Sequence, residues 1–89
     1  MRKRSDWWVL VDDMILEYLH DEGTGTPKTI SERIDKSQGY VNQRCSKLES
    51  YGLIRRLARG VYTITEEGEQ YLAGELDASE LASEKKDDY

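Results

Sequence analysis

The sequence predicts a small, mainly α-helical domain with one β-hairpin, in the order helix, helix, helix, hairpin, helix. Three observations predict it. Before Gly52, apolar residues recur at helical spacing in three separate stretches. After Gly52 the pattern switches to two short runs, LIRRL and VYTIT, separated by Ala58-Arg59-Gly60. Such runs, rich in β-branched and aromatic residues and parted by a glycine turn, make a hairpin. Thr65 then opens a last helical stretch, EEGEQYLAGEL.

The first helix lies in VDDMILEYLHDEG, where Asp12 suits the N-cap and further acids follow in the first turn. Met14, Ile15, Tyr18 and Leu19 share one face, His20 sits where a cation suits the helix dipole, and Gly23 stops the helix. After TGTP, Thr26 caps a short helix over 27–34 with Pro27 at its first position and Ile30 and Ile34 inward. DKSQ turns the chain. Ser37 caps a third helix, 37–51, whose buried stripe is Val41, Cys45 and Leu48, and Gly52 ends it. The hairpin spans 53–64. The last helix, 66–76, puts Tyr71, Leu72 and Leu76 on one side. Two helices joined by a short turn and followed by a two-stranded ribbon form the winged helix-turn-helix arrangement. From Asp77 the chain is polar, which divides it into a domain at 1–76 and an acidic, partly disordered extension at 77–89.

Eighty-nine residues make one domain with a tail. A chain this short buries only about 60–65% of its unfolded surface. It is 37% hydrophobic and 35% charged, so dimerisation would help it. A single cysteine, Cys45, excludes an intramolecular disulfide and a thiolate zinc cluster; on the buried stripe it reads as a core thiol. The longest apolar run is WWVLV at 7–11, too short for a signal peptide or a spanning helix, so a cytoplasmic protein is expected. No glycine loop cradles a phosphate and no spacing suits a metal, so no cofactor is expected. The acid pairs Asp12-Asp13 and Glu66-Glu67 stand at helix starts, where capping accounts for them, and no catalytic motif remains.

The net charge of −5 conceals a segregation. Residues 28–59 carry eight cations against three acids, whereas 5–27 carry six acids and no lysine or arginine, and 60–89 carry nine acids against two lysines. A basic middle between acidic flanks is the footprint a nucleic-acid surface leaves on an acidic protein.

The stretch TPKTISERIDKSQGYVNQRCSKLESYGLIRRLARGVYTITEEGEQYL, 26–72, resembles winged-helix transcriptional regulators, most clearly in KLESYGLIRR, RGVYTIT and the T-x-x-G helix start. With DDMILEYL before it and YLAGELDAS after it, the chain is similar to phage-repressor-like winged-helix proteins of halophilic archaea. The resemblance implies a sequence-specific regulator of double-stranded DNA, a repressor, with the third helix in the major groove and the hairpin as the wing. The acidic balance agrees with a halophilic host. Gly25 stands where such families carry an apolar residue, so a looser loop is expected before the second helix.

With Val41, Cys45 and Leu48 inward, Gly39, Gln43, Ser46 and Ser50 lie opposite. Gln38, Gly39, Asn42 and Gln43 are placed to reach base edges; Asn and Gln can pair bidentately with adenine, and Gly39 leaves the approach open. Ser37, Tyr40, Arg44 and Lys47 are expected on phosphates, with Lys28 and Lys36 in the same basic segment. Arg59 and Gly60 give the wing a cation and a compact turn, and an arginine is favoured in a narrow minor groove. Arg55 and Arg56 point to opposite strand faces, so one faces the groove and the other pairs with an acid of the body; Arg56 is assigned to DNA. One of Trp7 and Trp8 packs in the core, and the other is expected to meet a partner chain. The spare apolar residues, Trp7 to Leu10 at one end and Tyr71, Leu72, Leu76 and Leu81 at the other, predict a homodimer through the N-terminal segment and the C-terminal helix. The alternative is a winged-helix protein-interaction module that does not bind DNA.

Overall fold

The computed structural model describes residues 1–81, and residues 82–89 of the predicted extension lie outside it. Its helices are α1 (Leu10–Glu22), α2 (Pro27–Ile34), α3 (Gln38–Ser50) and α4 (Glu66–Leu72). The strands β1 (Ile54–Ala58) and β2 (Val61–Ile64) stand between α3 and α4, and a single 3-10 turn follows at Ala78–Glu80. The expected stripes meet in one core: Ile15, Leu16 and Leu19 from α1, Ile30 from α2, Val41, Cys45 and Leu48 from α3, Leu53, Ile54 and Tyr62 from the hairpin, and Tyr71 from α4.

The strands pair antiparallel, Ile54 with Ile64, Arg55 with Thr63 and Arg56 with Tyr62. A third, minimal strand joins them: Gly25 donates to the Tyr62 carbonyl at 3.0 Å and accepts from the Tyr62 amide at 2.8 Å. A β-carbon on Gly25 would stand 2.6 Å from the Tyr18 ring. The loop before α2 is therefore not looser, as expected from the sequence, but tighter. Glycine is there because the strand backbone runs against Tyr18.

The T-x-x-G corner has an equally steric reason. The Thr65 hydroxyl accepts from the Gly68 amide at 3.1 Å and donates to the Gly52 carbonyl at 2.7 Å. A β-carbon at Gly68 would overlap the Leu53 carbonyl oxygen and the Ile64 side chain. One corner thus joins the end of α3, the base of the hairpin and the start of α4.

At the chain ends the structure departs from expectation. α4 stops at Leu72 rather than running to 76, because Gly74 turns the chain at φ 79°. The chain beyond then pairs with the N-terminus: Lys3 bridges Asp77, the Ala78 amide donates to the Lys3 carbonyl at 2.8 Å, and Ala78 is buried. The folded unit thus continues past residue 76. Trp8 packs on Tyr71 with centroids 4.3 Å apart, and Trp7 stacks on Tyr51, also at 4.3 Å. Both tryptophans are used within the chain.

α1 begins at Leu10 with Val9 at its N-cap, so Asp12 is third in the helix and accepts from the Val9 amide at 3.1 Å. Asp13, expected to cap, is a buried hub. It accepts hydrogen bonds from the Tyr71 hydroxyl at 2.7 Å, from Trp8 Nε1 at 2.9 Å and from Arg4. Burial acts to raise the Asp13 pKa, but the hydrogen bonds from Tyr71, Arg4 and Trp8 outweigh it and hold the carboxyl below its ordinary value. Burial, then the Asp13 carboxylate, push the Tyr71 phenol upward.

A carboxylate held below its unfolded pKa stabilises the fold above that unfolded value, and the contribution is lost as pH falls through the folded one. Asp13→Asn is expected to cost roughly 1.5–3 kcal/mol at neutral pH, since the buried Trp8 and Tyr71 donors lose a charged acceptor. The difference between wild type and variant should shrink once the pH drops below about 4. Urea melts of both proteins across that range check it; a gap that stays constant with pH would remove Asp13 from this role.

Candidate nucleic-acid interface

α2 and α3 are set by local capping. Thr26 and Thr29 cap reciprocally, the Thr26 hydroxyl accepting from the Thr29 amide at 3.1 Å and the Thr29 hydroxyl from the Thr26 amide at 3.0 Å. Asp35, left-handed at φ 59°, ends α2. Two residues later the Ser37 hydroxyl accepts from the Tyr40 amide at 3.2 Å and starts α3. The tight turn between the helices is therefore written in Asp35, Lys36 and Ser37.

On α3, Gln38, Gly39, Tyr40, Asn42 and Gln43 are exposed, while Val41, Cys45 and Leu48 are fully buried. Burial drives the Cys45 thiol up to about 12, so it stays a neutral core group. A β-carbon on Gly39 would meet nothing within 4 Å, and its φ is not positive. Neither packing nor backbone conformation requires a glycine at that helical position. Ser50, expected on the outward face, is buried and donates to the Lys47 carbonyl at 2.7 Å. The turn at Gly52 folds β1 back against the end of α3. Only the N-terminal half of α3 thus presents an open polar face.

Two arginines depart from their expected places. Arg44 was expected on a phosphate. Its guanidinium instead forks onto the buried Asp12 carboxylate at 2.9 and 2.7 Å and donates to the Trp7 carbonyl at 3.0 Å. The side chain is only 16% exposed. The signal was in the spacing: Arg44 is three residues from Val41 and four from Leu48, on the edge of the core stripe. Arg56 was assigned to DNA, but it is the arginine that pairs with an acid of the body. It donates to the Tyr62 hydroxyl at 2.9 Å and to Glu49 at 3.4 Å. Period-two alternation puts Arg56 on the face of buried Ile54, which leaves Arg55 exposed on the other face. Arg55 is thus the member of the pair without an ion pair among the described residues, although Arg56 is itself 46% exposed.

Of the remaining expected contacts, Lys28, Lys36 and Arg59 stand open, while Lys47 and Gly60 are half-buried. Lys28, on the first turn of α2, and Lys36, in the turn, are exposed. Lys47 lies over the rings of Trp7 and Tyr51, 5.6 and 5.7 Å from their centroids. Arg59 and Gly60 form the tip of the hairpin, with Gly60 at φ 74°. Among the described residues, Arg33, Arg44 and Arg56 of the basic middle pair with Glu22, Asp12 and Glu49. Lys28, Lys36, Lys47, Arg55 and Arg59 form no ion pair among the described residues, and this smaller set is the available positive surface. His20, expected to serve the dipole of α1, reaches Glu69 of α4 at 2.6 Å. Among the described residues no helix is long and apolar enough to cross a membrane.

Three helices, a tight turn between the second and third, an acid-free open half on the third and a cationic hairpin tip define a winged helix-turn-helix domain of the DNA-regulator type. The family model for the winged helix-turn-helix phage repressor matches residues 1–84, and the chain belongs to that family, one of regulators rather than enzymes. It is 34% identical to the repressor protein of Halobacterium phage phiH over 91 residues, covering 91% of this chain and 97% of that protein. The crystal structure of the PhiH1 repressor-like protein from Haloarcula marismortui superimposes with a TM-score of 0.87 at 45% identity, covering 93% of this chain and 97% of that one.

Arg44, paired in the body, and Arg55, exposed and without an ion pair among the described residues, separate structural from surface charge. Arg44→Ala leaves the buried Asp12 carboxylate without its partner and should cost roughly 3 kcal/mol of stability. Arg55→Ala should change stability by no more than about 0.5 kcal/mol. Denaturant melts measure both; equal effects would contradict the division.

Proposed function

We propose that this protein is a sequence-specific repressor of transcription. In this reading the N-terminal half of α3 sits in the major groove of double-stranded DNA, and the hairpin lies along the adjoining backbone or minor groove. One observation carries the reading. α3 exposes Gln38, Gly39, Asn42 and Gln43 together, with open space over a glycine that the fold itself does not need. Gly39 is the second residue of α3, where a side chain would meet no neighbour, so close approach to another backbone accounts for the absence of one. Ser37 and Tyr40 flank that surface, with Lys28, Lys36, Lys47, Arg55 and Arg59 as the phosphate contacts. Acting on DNA, the protein works in the cytoplasm. Its relatives from a Halobacterium phage and from Haloarcula, with its own acidic balance, support a halophilic archaeal setting.

Duplexes selected from a random-sequence pool test this. Counterion release by up to five contacts per chain predicts that log affinity falls against log salt with a slope approaching about −4.5 per bound chain. Asn42→Ala and Gln43→Ala should each cost about 1–3 kcal/mol on the selected site and broaden base preference at one or two positions. Recovery of no preferred duplex, or binding indifferent to salt, would replace this reading with the protein-interaction module.

We further propose that the repressor is a homodimer using the start of α1 and the chain beyond α4. The surface available is narrower than the sequence suggested, since Trp7, Trp8 and Tyr71 pack internally. Leu10 and Val9 remain, 62% and 36% exposed, with Leu76 and Leu81 half-buried. Two-fold pairing would present two α3 helices to half-sites about 10 bp apart, or a multiple of that. Sedimentation at micromolar concentration across a salt series should show a dimer that strengthens with salt, as the acidic flanks are screened. A monomer at every salt concentration overturns the proposal.

A further inference from the structure

We infer that Leu57 is a minor-groove reading residue: the hairpin presents it with Arg59 to an A·T-rich step beside the major-groove site. This rests on the DNA-binding reading above and adds to it a second point of sequence discrimination.

The inference begins from a break in the sheet. Arg56 pairs with Tyr62 and Ala58 with Val61, so Leu57 is the extra residue of a bulge, with no partner across the ladder. A bulge turns a side chain out of the regular alternation, and Leu57 stands 47% exposed. Of the exposed large apolar side chains, it alone lies on the hairpin, and it takes no part in the core. A lone exposed leucine is ordinary. This one sits on a protruding ribbon between Arg55 and Arg59, two cations without ion pairs among the described residues. Such a setting suits one occupant above others, a polyanion with an apolar floor.

The minor groove has that chemistry. Its walls are phosphates and its floor is sugar carbons and base edges. An arginine is drawn into it most strongly where it is narrow, at A·T-rich steps. Architectural proteins insert leucine and similar side chains between base steps from the minor groove. A G·C pair adds the guanine 2-amino group to the floor. That donor would be desolvated against Leu57 without a hydrogen-bond partner, which disfavours G·C at the contacted step.

Inosine separates this readout from a major-groove one. An I·C pair shows the protein the major groove of G·C but the minor groove of A·T. Duplexes carrying the selected core site, with each flanking pair set to A·T, G·C or I·C, are titrated with wild type, Leu57→Ser and Leu57→Met. For wild type, one flanking step should lose about fivefold in affinity as G·C and regain it as I·C. Leu57→Ser should lose that discrimination with its salt slope unchanged, since no phosphate contact is removed, and Leu57→Met should keep most of it. Thermal melts of both variants should match wild type. If I·C behaves like G·C, or if Leu57→Ser discriminates as wild type does, the inference fails while specific binding to the core site stands. If no duplex is selected, the DNA-binding reading itself fails.

Discussion

Two adjacent buried carboxylates, Asp12 and Asp13, tie α1 to α3, to α4 and to the N-terminal segment. Neighbours on a helix point about 100° apart, so the two acids reach different parts of the molecule. Asp12 takes the fork of Arg44 and thereby fixes α3; Asp13 takes Tyr71 of α4 together with Trp8 and Arg4 of the N-terminal segment. A buried charge is tolerable only when paired and fully hydrogen-bonded, and among the described residues no buried side-chain nitrogen or oxygen lacks a partner. The fork of an arginine on a carboxylate also has a direction, which an apolar contact of equal size lacks. The exposed polar face of α3 is therefore held to the body by Asp12 as well as by the buried stripe beneath it.

The same pairings explain how an acidic chain shows a basic face. Many acids are spent on internal or local partners: Asp12 and Asp13 in the core, Glu17 on Arg2, Glu22 on Arg33, Glu49 on Arg56 and Glu69 on His20. The exposed pairs add little stability. Their consequence is spatial, because each arginine pair removes a cation as well as an acid from the open surface. Among the described residues, the cations of the basic middle left over lie on α2, the following turn, α3 and the hairpin. The positive field is smaller than the raw count of eight suggested, and it is concentrated on the elements that carry the exposed polar face of α3.

What could be read from the sequence followed from local rules. The stripe Val41, Cys45 and Leu48, the Thr26 and Ser37 caps, the glycine stops at Gly23 and Gly52 and the β-hairpin all depend on neighbours within one turn or one strand. The failures share the opposite property. Asp12 does cap, from the third position of α1, but its second partner is on α3, and Asp13 looked like a cap because that is the local use of an acid, whereas its Tyr71 partner lies 58 residues away. Arg44 looked like a phosphate contact because its carboxylate is on another helix. Gly25 looked like slack because nothing nearby in sequence reveals that Tyr18 and Tyr62 close around it. Arg55 and Arg56 could not be told apart until the pairing with β2 fixed which strand face was inward. Of the candidate site, the polar positions of α3 were legible, and the division of arginines into structural and free was not.

The hairpin shows why that division matters to function. At its base Leu53, Ile54 and Tyr62 are buried, Gly25 adds a third strand, and the Thr65–Gly68 corner clamps it to α4. Arg56 reaches from β1 to Glu49 and so links the ribbon to the last turns of α3. Beyond Arg56 these restraints end. In the two-residue turn only Gly60 has positive φ, so this is not the type I′ turn that matches strand twist, and the mismatch is relieved at the Leu57 bulge. A rigid base and an irregular, exposed tip follow from the same few residues. The base sets the distance and angle from α3 to the tip. A change at Arg56 or Glu49 would therefore move the hairpin tip relative to the open half of α3 without touching either one's exposed residues.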